Sequence, residues 1–343
     1  MDSREQTVVV DRGMAPNYFG AAIFWSYILA AITLTSTILH DFYSQYRTHA
    51  PLSPQRRRQL LTSSSLGLLS FAALSTNMLN VLIQSFALWS ISRPPLGLLS
   101  AYPAEIYTWS TTSILFLDFG EAIVANSARF FWTQSALLAT LSVNFYMALE
   151  GRKRNVLRLW AYFAVGQILP ISFALGLFHC AVTLATADSK KDVKVKKIWA
   201  VATMALYCSC LANAQLVAGT VWLMPLILVA SVLMLVPLSL AVEFEAPKTE
   251  FDEEQWLSNG GVQRIVLLIS SVMTLIKSTQ IVQEGWTLQG LGRALFGHRA
   301  VSSLGVDLLL SMIGFTWWSI TDRKPRESDS GFAKPIHTVA RTR

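Results

Sequence analysis

Charged residues are scarce in this sequence. They make up 14% of the 343 residues, whereas soluble domains carry about 25%. Hydrophobic residues reach 52%, and the mean hydropathy is +0.43. A soluble core cannot hide so much apolar surface, so the composition excludes an ordinary soluble domain. It predicts an all-α polytopic membrane protein, because a helix in lipid satisfies its backbone amides within its own segment.

Cysteine and the common catalytic motifs are also missing or rare. Cys180, Cys208 and Cys210 are the three cysteines, and all lie in apolar segments, so neither a disulfide framework nor a zinc site is predicted. The sequence has no G-x-x-x-x-G-K-[ST] loop, no G-x-S-x-G elbow and no paired D-D-x-x-D boxes. The five histidines are scattered. These absences argue against ATPase, serine hydrolase, magnesium-dependent and haem chemistry, and we expect no cofactor and no metal.

Nine apolar segments are each close to the roughly 20 residues that a membrane span requires. Segment 109–126 is short and follows several prolines, so a re-entrant or interfacial helix is the alternative there. The sequence therefore predicts a transmembrane helical bundle of eight to nine spans. The candidate spans are 18–39, 64–90, 109–126, 129–149, 158–186, 197–217, 220–241, 262–282 and 301–320.

Polar sequence flanks this transmembrane domain, which covers residues 18–320. Residues 1–17 form a short polar segment of mixed charge without the pattern of a secretory signal peptide, so the first span is expected to act as the insertion signal. Residues 321–343 form a basic tail that is expected to be disordered.

Lysine and arginine are unevenly divided between the loops. If the loops alternate between nine spans, the side of the C-terminal tail receives about twice as many as the other side. Because cytoplasmic loops are enriched in these residues, we predict a cytoplasmic C-terminus, in the endoplasmic reticulum membrane. The cluster "RKRNVLR" at 152–158 falls on the poorer side as an exception. We attribute the net charge of +7 to this bias and to contact with membrane lipid, and we expect no nucleic-acid partner.

Two carboxylates lie inside the apolar stretch "SILFLDFGEAIVANSARFFW" at 113–132. Asp118 and Glu121 are three residues apart and share one face of a helix. In a desolvated site both cannot ionise comfortably, so one is expected to keep its proton, as a general acid must. The alternatives are pairing with Arg129 and a position at the membrane interface.

Other polar and aromatic residues within the spans are further candidates. Asn77, Asn80 and Gln84 form a stripe on one helix face, which indicates either a ligand-binding wall or hydrogen bonds between helices. The same spacing of polar residues recurs in Lys277, Gln280 and Glu284. An ion pair between Lys277 and Glu284 is the simpler explanation of that pattern. Asp307 is a further intramembrane acid. Trp132 and Tyr146 belong to an aromatic group near the carboxylates that could either pack or stabilise a cation.

The chain resembles the integral membrane terpene cyclases of fungal meroterpenoid biosynthesis, the ascofuranone-cyclase-like group. The resemblance lies in the size, the number of spans, the carboxylate pair in a mid-chain span, and the closing pattern "HRAVSSLGVDLLLSMIGFTWWS" at 298–319. It implies acid-initiated cyclisation of a prenylated, epoxidised aromatic in secondary metabolism, without metal or nucleotide. It also implies a hydrophobic small-molecule substrate, and it allows other membrane-associated enzymes of the pathway as partners.

On this hypothesis each candidate residue has an expected role. Glu121 or Asp118 protonates the epoxide, and Asp307 is the alternative acid or the final base. The amides of the second span position the aromatic head group, and Trp132 and Tyr146 stabilise cationic intermediates. The competing hypotheses are a transporter or exporter of a small amphipathic metabolite and a non-catalytic membrane scaffold.

Overall fold

The computed structural model describes residues 17–48, 52–91, 102–112, 115–185, 193–243 and 255–322, and it is about 86% helical. The all-α prediction is confirmed. The polar N-terminal segment before Asn17 and the basic tail after Asp322 lie outside the described residues. The helices are α1 (Tyr18–Thr48), α2 (Pro54–Ile91), α3 (Tyr102–Thr112), α4 (Leu115–Val124), α5 (Ser127–Lys153), α6 (Leu159–Ile168), α7 (Ile171–Leu184), α8 (Lys197–Ala214), α9 (Leu223–Leu233), α10 (Val236–Leu240), α11 (Asn259–Gln283), α12 (Leu288–Gly297) and α13 (Arg299–Asp322).

Five helices of the described part are long and apolar enough to cross a membrane. They are α1, α2, the stretch Leu223–Leu240 that contains α9 and α10, α11, and most of α13. Their outer surfaces carry large exposed apolar side chains, such as Phe19, Leu68 and Leu267, which are 66–78% exposed. Contiguous apolar surface of this kind indicates a membrane protein whose helices face lipid.

A small antiparallel sheet marks one end of the bundle, here called the sheet end. Strand β1 (Val193–Lys196) lies between β2 (Ala241–Glu243) and β3 (Trp256–Leu257). Val193 and Val195 are buried, whereas Lys196 is exposed, as the period of two in a strand requires. This strand lies between the predicted spans 158–186 and 197–217, where no strand was predicted. The short alternation of valine and lysine was the signal for this strand.

Helix termini gather at two ends. At the sheet end, Arg158 donates to Asp41 near the end of α1 at 2.6 Å, and Gln59 of α2 donates to the carbonyl of Thr321 at 3.2 Å. At the opposite end, the N–H of Asn17 donates to the carbonyl of Thr111 at 2.6 Å. The helices α1, α2, α5, α8, α9 with α10, α11 and α13 therefore run between the two ends.

The predicted span 158–186 is corrected by the structure. It consists of two short helices, α6 and α7, that pack side by side, because the rings of Tyr162 and Phe178 lie 6.0 Å apart. The turn is at Leu169–Pro170, where proline keeps the preceding residue out of the helical region. With 10 and 14 residues, each helix is about 15–21 Å long, too short for a hydrocarbon core of about 30 Å. The pair is a helical hairpin that starts and ends at the sheet end.

Within the predicted span 109–126, the described residues up to Val124 belong to α3 and α4, of 11 and 10 residues, and residues 113 and 114 between them lie outside the described part. Trp109 of α3 donates to Ser85 near the end of α2 at 3.3 Å, and Gly120 of α4 lies against Ile227 of α9, so both helices contact the opposite end. The alternative of a re-entrant or interfacial helix stays a prediction for this segment. A tight turn separates α8 from α9, with Gly219 at φ +73°.

The two ends differ in charge. Four described lysines and arginines belong to the opposite end: Arg129, Lys277, Arg293 and Arg299. Twelve belong to the sheet end: Arg47, Arg56, Arg57, Arg58, Arg152, Lys153, Arg154, Arg158, Lys194, Lys196, Lys197 and Arg264. The cluster 152–158 lies at the sheet end with the other basic segments, because Arg152 donates to the carbonyl of Leu238 and Arg158 to Asp41.

Helices α2 and α7 approach closely at a pair of glycines. A Cβ atom on Gly176 would lie 2.8 Å from Cα of Gly67 and 3.2 Å from the carbonyl oxygen of Ser63. Small residues at such crossings allow the van der Waals contact that holds membrane helices together.

We predict that Gly176→Ala lowers the free energy of unfolding by about 1–3 kcal/mol, because backbone atoms of α2 must move. Thermal unfolding in detergent micelles measures this change. Gly292→Ala on α12 is the control, since a Cβ atom there has no neighbour within 4 Å. Equal unfolding temperatures for the two variants would contradict the close crossing.

Candidate functional site

A buried lysine connects three helices near the opposite end. Lys277 of α11 is 7% exposed, and its ammonium donates to Oε1 of Gln280 at 2.8 Å and to Oε1 of Gln215 in the turn after α8. The ammonium also lies 4.9 Å from the centre of the Phe130 ring on α5. Because an unpaired buried charge is costly, these partners are what allow the charge to remain there.

The chain of hydrogen bonds continues to a carboxylate. Glu284 accepts from the hydroxyl of Ser127 at 2.7 Å, from the amide of Gln280 at 2.8 Å and from the indole of Trp286 at 3.1 Å. These bonds, that of Ser127 first, hold the pKa of Glu284 below its usual value. Lys277 is linked to Glu284 through Gln280, and among the described residues the two make no direct ion pair.

We call these six residues the corner network: Ser127, Gln215, Lys277, Gln280, Glu284 and Trp286. The spacing in the sequence pointed to Lys277, Gln280 and Glu284 but not to the other three, which are Ser127, Gln215 and Trp286. Their only signal was polarity at the ends of apolar segments. The network joins residues that are 62 to 157 positions apart, so no local pattern could connect them.

Helix α4 adjoins the corner network and carries both predicted acids. The amide of Gln215 donates to the carbonyl of Val124, the last residue of α4, at 3.4 Å. Glu121 lies one turn earlier, is half-buried, and has no hydrogen-bond partner in the described part of the chain. Asp118 lies on the same helix, but its side chain is outside the described residues. The prediction that the two share a helix is consistent with α4.

Aromatic side chains lie around this corner. Phe119 and Trp132 pack against the buried cluster that contains Ile123, Val124 and Phe130. Trp132 donates its indole N–H to the carbonyl of Leu291 on α12 at 3.0 Å, which fixes its ring. Phe130 contacts the ammonium of Lys277, whereas Phe119 and Trp132 are only half-buried at this corner.

Asp307 lies elsewhere, at the tip of the helical hairpin formed by α6 and α7. It is 9% exposed, and its two oxygens accept the backbone N–H of Ile171 at 3.1 Å and of Ser172 at 2.9 Å. The Ser172 hydroxyl also donates to Oδ1. The first amides of a helix lack partners within it and carry partial positive charge, so Asp307 caps α7 as an acceptor. Three donors converge on the carboxyl oxygens of Asp307, so these oxygens act as hydrogen-bond acceptors.

Tyr146 is also remote from the carboxylates of α4. Its ring packs edge-on against Phe178 at 5.7 Å and Phe315 at 5.1 Å. It lies 14 residues after Trp132 on α5, a distance of about 21 Å along the helix. The structure therefore does not bring these two predicted cation-stabilising rings into one site.

The predicted binding stripe on α2 is separate again. Asn77 and Asn80 are half-buried and Gln84 is exposed. Within the described residues none of the three side chains makes a hydrogen bond, so the alternative of hydrogen bonds between helices is not observed there. Because α2 packs against α3, α7 and α13, these amides do not border the corner network.

Comparison of the chain with protein-family models, with curated proteins and with solved structures gives no match.

Proposed function

We propose that this protein is a metal-independent membrane terpene cyclase that opens the epoxide of a prenylated aromatic by acid catalysis. The observation that carries the proposal is the position of Glu121. This carboxyl is half-buried on α4, has no hydrogen-bond partner among the described residues, and belongs to a segment bordered by Phe119 and Trp132. It is available to a substrate, whereas the carboxylate of Asp307 is occupied by backbone amides.

The proposed reaction needs one donor, one acceptor and a dry cavity. The carboxyl of Glu121, or of Asp118, gives its proton to the epoxide oxygen, and the C–O bond breaks. The alkene π electrons attack the resulting cation and close the ring. The last cation loses a proton to the carboxylate, so the acid is regenerated and the product is an isomer of the substrate. Ring faces such as that of Trp132 favour the cationic intermediates.

The resemblance to fungal meroterpenoid cyclases supports the same substrate class. A farnesylated aromatic epoxide is apolar and dissolves in the bilayer, so it can reach α4 laterally from lipid. The substrate-binding role assigned to Asn77, Asn80, Gln84 and Tyr146 receives no support from their positions.

Purified protein in detergent, incubated with a farnesylated aromatic epoxide, tests this function. Cyclised product in the absence of any ion gradient is expected. A protein that yields no product, but moves the compound across proteoliposome membranes, would instead be a transporter.

Transport remains the second candidate because of the helical hairpin. Broken helices whose termini lie within the membrane are frequent in transporters, where they form substrate sites. The N-terminus of α7 is such a terminus, but Asp307 already occupies its amides. The proteoliposome assay separates the two candidates.

We further propose that seven segments cross the membrane and that α6 and α7 enter it without crossing. The seven are α1, α2, α5, α8, α9 with α10, α11 and α13. This number revises the eight to nine spans predicted from the sequence, because α3, α4 and the hairpin are too short to cross. The basic sheet end then faces the cytoplasm, which supports a cytoplasmic C-terminus in the endoplasmic reticulum membrane.

This topology predicts that a tag inserted at 154–156 and a C-terminal tag are both digested by protease added to sealed microsomes. An N-terminal tag is expected to be protected, since seven crossings place the two termini on opposite sides. Protection of the tag at 154–156 together with digestion of the C-terminal tag would contradict the seven-span arrangement.

A further inference from the structure

A small cavity lies between α2, α7 and α13, and it is separate from the corner network. It is lined by Ser63 and Leu66 of α2, Ser172, Leu175, Gly176 and His179 of α7, and Leu310 and Gly314 of α13. It has room for about one water molecule. Gly314 leaves open space on the side of α13, because a Cβ atom there would have no neighbour within 4 Å.

One wall of this cavity carries a buried nitrogen without a partner. His179 is 2% exposed, and its Nε2 atom makes no hydrogen bond within the described part of the chain. The ring is held in place by stacking on Trp318, with centroids 4.4 Å apart, and by edge contact with Tyr146 at 6.0 Å. Leaving such a nitrogen unpaired costs about 1–3 kcal/mol. The position is therefore one where a ligand with hydrogen-bonding capacity is favoured.

Hydroxyl groups line the other walls. Ser63 is 3% exposed, and its hydroxyl makes no hydrogen bond to any described residue. Ser172 donates its proton to Asp307, so the neighbouring hydroxyl of Ser70 must be the donor in the contact between the two serines. The oxygen of Ser172 is therefore oriented by its neighbours as part of a chain that starts at the hairpin tip.

We propose that this cavity binds one water molecule, which hydrogen-bonds to Nε2 of His179 and to the hydroxyls of Ser63 and Ser172. A buried water needs two to four polar partners, and these three side chains supply that number. The water completes a hydrogen-bonded path from the carboxylate of Asp307 through Ser172 to His179. It ties the tip of the hairpin to the aromatic cluster of α5 and α13 near the sheet end.

The sign of a stability change tests this site. If water is bound, Ser63→Ala removes one of its partners, and the unfolding temperature of the full chain in lipid nanodiscs should fall by roughly 2 °C. If the cavity is dry, the same change removes a hydroxyl that lacks a partner, and the unfolding temperature should stay the same or rise. Ser302→Ala on α13 is the matched control for the loss of a buried hydroxyl that has a partner, because the Ser302 hydroxyl donates directly to the carbonyl of Leu295 at 2.7 Å.

A high-resolution electron cryo-microscopy map of the wild-type protein in nanodiscs provides the independent measurement. Density within hydrogen-bonding distance of both His179 Nε2 and Ser63 is expected. A map without that density overturns the proposal whatever the stability result. An unfolding temperature of Ser63→Ala at or above that of the wild type overturns it as well. Both outcomes are independent of whether the protein is a cyclase.

Discussion

Replacing Glu121 with glutamine is expected to reduce cyclisation by about 10²–10⁴-fold, the usual contribution of general acid catalysis. Glutamine keeps the size and most of the hydrogen-bonding capacity of the side chain but has no acidic proton. The half-buried carboxyl of Glu121 makes no hydrogen bond to a described residue, so its loss should leave the fold intact. Turnover of purified protein, normalised to the amount of folded protein in the membrane, is the measurement.

Asp118→Asn and Asp307→Asn are the comparisons for this experiment. If Glu121 is the donor, Asp118→Asn should have a smaller effect, because Asp118 then gives no proton to the substrate. If Asp118 is the donor, the order is reversed. Near-normal turnover by both Glu121→Gln and Asp118→Asn would reject α4 as the source of the proton. A loss of turnover confined to Asp307→Asn would move the chemistry to the hairpin tip.

Replacing Asp307 with alanine is expected to lower the free energy of unfolding by on the order of 3 kcal/mol or more. Two buried backbone amides of α7 lose their acceptor, and each unpaired buried donor costs about 1–3 kcal/mol. The change should appear as a lower thermal unfolding temperature in detergent micelles and as faster proteolysis near Leu169–Pro170.

Asp307→Asn is the graded control for stability. Its amide retains one acceptor oxygen, so the loss should be smaller than for alanine, and folded protein should keep its cyclase activity. Stability of Asp307→Ala equal to that of the wild type would show that the carboxylate does not hold the hairpin. The pair of experiments thus separates a structural acid on α13 from a catalytic acid on α4.

The long apolar helices were readable from the sequence, since α1, α2, α11 and α13 each extend past 20 residues. An uninterrupted apolar run of this length has few alternatives in lipid, because only a helix satisfies its own backbone. The same criterion failed for segment 158–186, where one long apolar run hides two short helices. Pro170 indicated a break, but a break alone does not distinguish a kinked span from a hairpin.

Contacts between residues far apart in the sequence also determined where the candidate acids lie. The spacing of Asp118 and Glu121 predicted that both lie on one helix, and both belong to α4. Their separation from Asp307 and Tyr146, by contrast, follows from the packing of α5, α7 and α13. The sequence alone does not rank the intramembrane polar residues. Burial and hydrogen-bond partners identify Asp307 as a helix cap and leave Glu121 available.

By itself, the sequence determined that this is a helical membrane protein with a strong charge bias, because composition and hydropathy act on each segment independently of the others. Only the tertiary structure decided which segments run through the bundle and which polar groups meet. The hairpin depends on amides of Ile171 and Ser172 that find their acceptor 135–136 residues later, and the corner network joins Ser127, Gln215 and Lys277 across three helices. Such pairings are favourable only after the helices have packed, when each buried polar group must find its partner within the protein.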